Sequence, residues 1–218
     1  MALLSTVNVS IDSVLLESLS GKEAVGLYSA AFKLLVSLMI LPAAISDALF
    51  PIWSRDSTGG STPNRLSLNR VLRWLSIAGV LTAGLILAAA EPLIRLFYGA
   101  EFIAAVPVLR LLSLALVFMF LSAPLTVRLL VADRLKAVLI TFTLVVAADI
   151  LGNLLLIPRC GLIGAAAVRL FAEALNFSLQ FLFISRSPLC PAPTTATTDV
   201  SHRLPLQPAG AAHIAKRG

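Results

Sequence analysis

Residues 136–157 read KAVLITFTLVVAADILGNLLLI and residues 161–185 read GLIGAAAVRLFAEALNFSLQFLFIS, with only Pro158, Arg159 and Cys160 between them. A helix needs roughly 20 apolar residues to cross about 30 Å of hydrocarbon, and each run is long enough. Neither run alternates apolar and polar residues as a barrel strand does. The pair therefore predicts two membrane-spanning helices joined by a tight turn.

Earlier runs of the same kind extend this pattern over most of the chain. They occupy residues 2–19, 25–50, 71–90 and 103–131. Pro42 and Pro124 each remove a helical hydrogen bond, which predicts a break one turn before each proline. We predict an all-α integral membrane fold in which residues 1–186 form one lobe of six transmembrane helices. The polar, Pro-rich sequence after Arg186 predicts a disordered cytoplasmic tail over 187–218.

Composition supports the membrane assignment. Hydrophobic residues make up 58% of the 218 and charged residues 13%, with a mean hydropathy of +0.94. An ordinary soluble domain is about a quarter charged. The excess of 17 Lys and Arg over 11 Asp and Glu would suggest nucleic acid in a soluble protein. Here most of the basic residues lie in the connections and the tail, so we expect no nucleic-acid partner.

The basic residues also predict an orientation, because short loops rich in Lys and Arg stay on the cytoplasmic side. One alternate set of connections holds three of them, Lys22, Arg95 and Arg159, and three more lie inside helices. The other set holds eleven: Arg55, Arg65, Arg70, Arg73, Arg128, Arg134, Lys136, Arg186, Arg203, Lys216 and Arg217. Both termini are therefore expected on the cytoplasmic side of a multi-pass protein.

Ionisable residues inside the predicted spans are costly, at roughly 3 kcal/mol each if they face lipid. There are seven: Asp12, Lys33, Asp47, Arg110, Asp149, Arg169 and Glu173. Arg169, Glu173, Asn176 and Gln180 recur at i, i+4, i+7 and i+11, which places them on one helix face. These side chains must face protein or water.

Depth along the helices, at 1.5 Å per residue, is similar for Lys33, Arg110, Arg169, Asp12 and Asp149, roughly 10 to 14 Å from the outer ends. Two interpretations stay open. Ion pairs such as Arg169 with Glu173 would only fix helix register. Alternatively, Lys33, Arg110 and Arg169 bind an anionic head group in a hydrated cavity, supported by Asp12, Asp149 and Glu173.

Five motifs carry a resemblance to a known family. They are VGLYSAAFKL (25–34), LFPIWSR (49–55), LIRLFYGAEFIAAVPVLRLLSLAL (93–116), LLVADRLKAV (129–138) and NLLLIPRCGLIGAAAV (153–168). In this order, over nearly all of residues 1–186, they resemble the polysaccharide biosynthesis flippases of the multidrug/oligosaccharidyl-lipid/polysaccharide exporter superfamily.

The resemblance implies a substrate, an undecaprenyl-diphosphate-linked oligosaccharide moved from the inner to the outer leaflet of the bacterial cytoplasmic membrane for surface polysaccharide export. Family members have two lobes around a central cavity, and this chain is similar to the second. It is therefore expected to be truncated, or to work with a separate amino-terminal lobe or a second copy. Asp149 stands where the family more often has Asn, Arg169 where a small residue is usual, and Asp133 where Gly is common. Asp149 and Arg169 could thus contact substrate or compensate each other.

Other function classes remain as alternatives. Half of a multidrug or cation antiporter would have a similar outline, with Asp12 or Asp149 as its ion site, and an inactive remnant is a further reading. An enzyme is disfavoured, because no polar loop offers paired carboxylates, a metal cluster or a nucleophile with its base. We expect no cofactor and no metal. Cys160 and Cys190 are predicted to stay unpaired on opposite sides of the membrane.

Overall fold

The computed structural model describes residues 2–57 and 67–186, with side chains described for 15–54 and 67–186, and every element in these ranges is helical. The elements are α1 (Ala2–Leu38), α2 (Ile40–Ser57), α3 (Leu68–Tyr98), a 3₁₀ helix (Ala100–Ala105), α4 (Val106–Val131) and α5 (Leu135–Ser185). The all-α class is therefore confirmed for the described residues, whereas the predicted tail over 187–218 lies outside them.

Glycines interrupt the two longest helices. Gly21 in α1 has φ 84° and ψ 173°, and Gly161 in α5 has φ 55° and ψ −131°, both outside the helical region. A residue with a Cβ rarely adopts positive φ, so glycine is the residue that permits these breaks. Both positions fall in or beside turns that the sequence predicts.

The break at Gly161 makes α5 a hairpin. A Cβ built on Gly152 would lie 2.8 Å from Cγ1 of Val168, and one built on Gly164 would lie 2.6 Å from the carbonyl oxygen of Leu156. Residues 152 and 168 would be about 24 Å apart in an unbroken helix. The chain therefore doubles back, and glycine at positions 152 and 164 lets the two halves approach closely.

Four segments in the described part of the chain are long and apolar enough to cross a membrane: Leu15–Ser54, Leu68–Tyr98, Ala100–Val131 and Leu135–Ser185. Six separate spans therefore stay a prediction. The predicted helix over 71–90 is too short, since α3 continues to Tyr98. Hydropathy falls at Glu91, but Glu91 pairs with Arg95 one turn later and the helix continues.

The two prolines expected to break helices behave differently. Helix α1 ends at Leu38, four residues before Pro42, because Pro42 has no N–H to donate to the carbonyl oxygen of Leu38. This predicted break is confirmed. Helix α4 instead continues through Pro124 to Val131. Next to Pro124, Thr126 donates a hydrogen bond from its hydroxyl to the carbonyl oxygen of Ser122, so local polar contacts accompany the continuous helix.

Helix α4 is the centre of the lobe. It packs against α5, α3, α2 and α1, and Leu109, Leu112, Leu116 and Phe120 on it are fully buried. Helix α3 packs mainly against α4 and the 3₁₀ helix, and its outer face exposes large apolar side chains such as Leu81 and Leu85. This one-sided packing places α3 at the periphery of the lobe.

Several contacts show which helix ends lie together. The guanidinium of Arg128 lies 5.7 Å from the ring centroid of Trp53, joining the ends of α4 and α2. Arg134 Nη1 donates to the carbonyl oxygen of Phe183 at 3.3 Å, joining the two ends of α5. A Cβ on Gly79 would contact Phe120 at 3.3 Å, so α3 runs antiparallel to α4. The carboxyl ends of α2 and α4, the start of α3 and both ends of α5 therefore share one end of the lobe.

Candidate functional site

A column of polar side chains runs along the second half of α5. Arg169, Glu173 and Gln180 are buried, and Asn176 is partly buried. Their spacing along the sequence is four, three and four residues, which predicts that all four side chains lie on one face of the helix. This predicted polar stripe is confirmed as an inward-facing surface, because Arg169 contacts Phe32 on α1 and Gln180 contacts Thr126 on α4.

At one end of the column, Arg169 is held by two neighbours. Its Nη2 lies 2.9 Å from Oε1 of Glu173, and its Cζ lies 5.5 Å from the ring centroid of Phe32 on α1. The ring face attracts the guanidinium electrostatically, which supplements the ion pair of this buried side chain. Arg169 is therefore anchored to its own helix by charge and to α1 by the aromatic ring.

At the other end, the column reaches α4. Oγ1 of Thr126 lies 3.1 Å from Oε1 of Gln180 and shares its single proton between that oxygen and the carbonyl oxygen of Ser122. Nε2 of Gln180 donates to Oδ1 of Asn176 at 2.9 Å. Sequence reasoning missed Thr126 and Phe32 as members of this group. Ser122 and Thr126, one turn apart on α4, were the available signal for an inward polar face.

The first half of the hairpin adds a second row. Thr141, Asp149 and Asn153 are buried, spaced by eight and four residues on one face. The close approach of Gly152 to Val168 sets the register of the two halves. That register places Asp149 level with the interval between Arg169 and Glu173. Asp149, Asn153 and Arg169 all make further polar or charged interactions. The buried charges of the hairpin thus form one compact group.

The two other predicted cations lie elsewhere. Lys33 and Arg110 are exposed, whereas Arg169 is 5% exposed, so the structure does not bring Arg169 onto a common surface with them. The number of residues from a helix end predicts how deep a residue lies along the helix. The direction of its side chain around the helix axis decides what it faces. On α1 it is Phe32 that faces Arg169, and Lys33 points to the outside. The side chain of Asp12 lies outside the described residues.

The exposed cations sit at different distances from the helix ends. Lys33 is twelve residues beyond the Gly21 break, about 18 Å along the helix, and Arg110 is in the second turn of α4. Neither makes an ion pair with a described side chain. Asp47 on α2 is exposed as well. Lys33 and Asp47 therefore place charged side chains on the outer surface of apolar helices. Arg110 does the same close to the start of α4.

Metal ligands and cysteines add little to the site. Within 15–54 and 67–186, no three His, Cys, Asp or Glu side chains lie together in a way that could hold a metal ion. Cys160 is exposed and free, next to the hairpin turn. Cys190 lies outside the described residues, so their predicted separation stays a prediction.

Comparison with known proteins supports the motifs in the first half of the chain. Residues 1–107 match a family model described as "Polysaccharide biosynthesis protein". This match confirms the resemblance to a polysaccharide biosynthesis family over nearly half of the chain. The matched part contains α1, α2, α3 and the 3₁₀ helix, including Lys33. No curated protein and no solved structure matches the chain.

Proposed function

We propose that this chain, whose first 107 residues match the polysaccharide biosynthesis family, is one lobe of a flippase for undecaprenyl-diphosphate-linked oligosaccharide. The lobe acts in the bacterial cytoplasmic membrane with both termini on the cytoplasmic side. It is completed by a separate amino-terminal lobe or by a second copy. The oligosaccharide it moves to the outer leaflet serves surface polysaccharide export.

The observation that carries the proposal is Lys33, an exposed cation inside the apolar segment Leu15–Ser54 and inside the family-matched part of the chain. Facing lipid at mid-span would cost roughly 3 kcal/mol on insertion scales. The α1 face that bears Lys33 therefore faces water or another protein. A cation on a water-filled wall is suited to the diphosphate of a lipid-linked sugar, which carries negative charge.

In this proposal Arg110 is a second cation of the same wall, closer to a helix end. It is exposed in the second turn of α4, where a head group entering or leaving the cavity would pass. Two cations at different depths bind a moving diphosphate in successive positions, so its binding free energy has no single deep minimum along the path. Binding that is moderate at each position favours release, as in other membrane pathways.

Arg169, Asp149 and Glu173 act behind this wall. Their burial and the 2.9 Å ion pair suit a positioning role, in which they hold the α5 hairpin against α1 so that Lys33 keeps its direction. Phe32 is the direct link, since it contacts Arg169 and precedes Lys33 in the chain. Asp12, on the part of α1 before the Gly21 break, remains a proposed supporting charge.

The test is export in a strain whose own flippase for the same polysaccharide has been deleted, with this chain expressed together with its other lobe. Lys33→Ala and Arg110→Ala should each lower surface polysaccharide at least tenfold while the chain accumulates in the membrane. Lipid-linked oligosaccharide should build up in the inner leaflet. Lys22→Ala is the matched control, an exposed lysine beside the Gly21 break, and should retain export.

The readout separates the candidate functions. Loss of the lipid-linked oligosaccharide itself would show a role in its synthesis and overturn the flippase proposal. Unchanged export in both Lys33→Ala and Arg110→Ala would overturn the proposal that these cations bind the diphosphate. Drug resistance conferred by the chain, with no effect on the polysaccharide, would show the antiporter function instead.

A further inference from the structure

Charge is distributed unequally between the two ends of the lobe. At the end where α2 and α4 finish and α3 begins, the described side chains include one acid, Asp133, and six cations: Arg70, Arg73, Arg128, Arg134, Lys136 and Arg186. We name this surface the basic end. At the opposite end the described charges are balanced, with four cations and four acids: Lys22, Arg95, Arg110, Arg159, Glu17, Glu23, Glu91 and Glu101.

The basic end also orders part of its charge without using carboxylates. Arg128 lies over the ring of Trp53, and Arg134 donates to the carbonyl oxygen of Phe183. An aromatic face or a carbonyl oxygen orients a guanidinium but leaves its full positive charge. Arg95 at the opposite end differs, since Glu91 neutralises it at 2.8 Å. The basic end thus holds net positive charge in a fixed arrangement.

Tryptophan marks the same end. The chain has two tryptophans, and both lie there: Trp53 is buried under Arg128, and Trp74 on the second turn of α3 is 68% exposed beside Arg73. Exposed tryptophan is enriched at the level of lipid head groups, where its ring meets acyl chains and its N–H meets water. The neighbouring cations are therefore at the depth of the phosphates.

From these observations we infer that the basic end binds the head groups of anionic phospholipids of the surrounding bilayer. Clusters of Lys and Arg next to transmembrane helices attract anionic lipid, and the attraction weakens as salt screens it. Arg73, Lys136 and Arg186 are exposed and reach the phosphates, while Trp74 inserts between the lipids. This binding involves neither Lys33 nor Arg110, so it is independent of the proposed transport function.

The test uses the purified full chain in neutral detergent, with phosphatidylglycerol or phosphatidylcholine added at equal amounts. Phosphatidylglycerol should raise the apparent Tm several degrees more than phosphatidylcholine in low salt, and 0.5 M NaCl should remove most of that difference. The triple variant Arg73→Gln, Lys136→Gln, Arg186→Gln should lose at least half of the difference. The matched triple variant Lys22→Gln, Arg95→Gln, Arg159→Gln removes as many cations from the opposite end and should keep it.

Three outcomes would overturn the inference: equal stabilisation by the two lipids, an equal loss in both triple variants, or the same stabilisation by inorganic phosphate or pyrophosphate alone. The last would identify a site for free phosphate rather than for lipid. Native mass spectrometry of the unmodified chain gives an independent reading should a triple variant fail to fold. Retention of phosphatidylglycerol over phosphatidylcholine is expected, and equal retention would refute the inference.

Discussion

Arg169 and Glu173 form a buried ion pair one turn apart on α5, with Nη2 and Oε1 2.9 Å apart and side chains 6% and 11% exposed. Arg95 and Glu91 make the same kind of pair on α3 at 2.8 Å, but their side chains are 56% and 49% exposed. The two pairs share spacing and length and differ in burial. They therefore provide an internal comparison of what burial does to an ion pair.

Removing one partner should have very different effects in the two pairs. Glu173→Gln removes one carboxylate from a buried group of charges, and we expect a loss of roughly 3–5 kcal/mol in the free energy of unfolding. Glu91→Gln should cost about 0.2–1 kcal/mol, because water replaces the exposed partner. Thermal unfolding of the purified variants measures both. Similar losses in the two variants would contradict the burial argument.

The close approach inside the α5 hairpin gives a second prediction. Gly164→Ala would place a methyl group 2.6 Å from a backbone oxygen, which cannot rotate away, so a loss of about 1–3 kcal/mol is expected. The three atoms nearest to a Cβ at position 152 all belong to the side chain of Val168, so adding Val168→Ala should restore part of the stability lost in Gly152→Ala. Gly84 on α3 has open space around it, so Gly84→Ala should leave the Tm unchanged or raise it slightly. Equal effects at all three glycines would argue against the hairpin.

Water should reach Lys33 from outside the lobe. In a background with Cys160→Ser and Cys190→Ser, Lys33→Cys and Arg110→Cys should react with a charged, membrane-impermeant maleimide when the other lobe is present. Leu85→Cys, on the exposed apolar face of α3, should react at least tenfold more slowly because lipid covers it. Labelling of Leu85→Cys at the same rate as Lys33→Cys would remove the evidence for a hydrated wall.

Orientation in the membrane can be tested directly. Reporter fusions after Gly59 and after Gly99 should read cytoplasmic and external, respectively, because the basic residues are concentrated in the first set of connections. The structure adds that α3 joins these two connections as one helix, Leu68–Tyr98, so the two reporters must lie on opposite sides if α3 spans the membrane. The reversed result would also reverse the leaflet in contact with the basic end.

Sequence alone determined the membrane class, the break at Pro42, the turn beside Gly161 and the inward face of Arg169, Glu173 and Gln180. These features depend on properties that a linear pattern carries: run length against bilayer thickness, a missing N–H, and the 3.6-residue period of a helix. The tertiary structure alone decided that Phe32 and Glu173 hold Arg169 while Lys33 stays exposed. Depth along a helix can be counted from sequence, but direction around its axis is set by the packing of α1, α4 and α5. For the same reason only the folded chain revealed that Gly152 and Gly164 are sites of close contact, since the residues they meet lie across the hairpin.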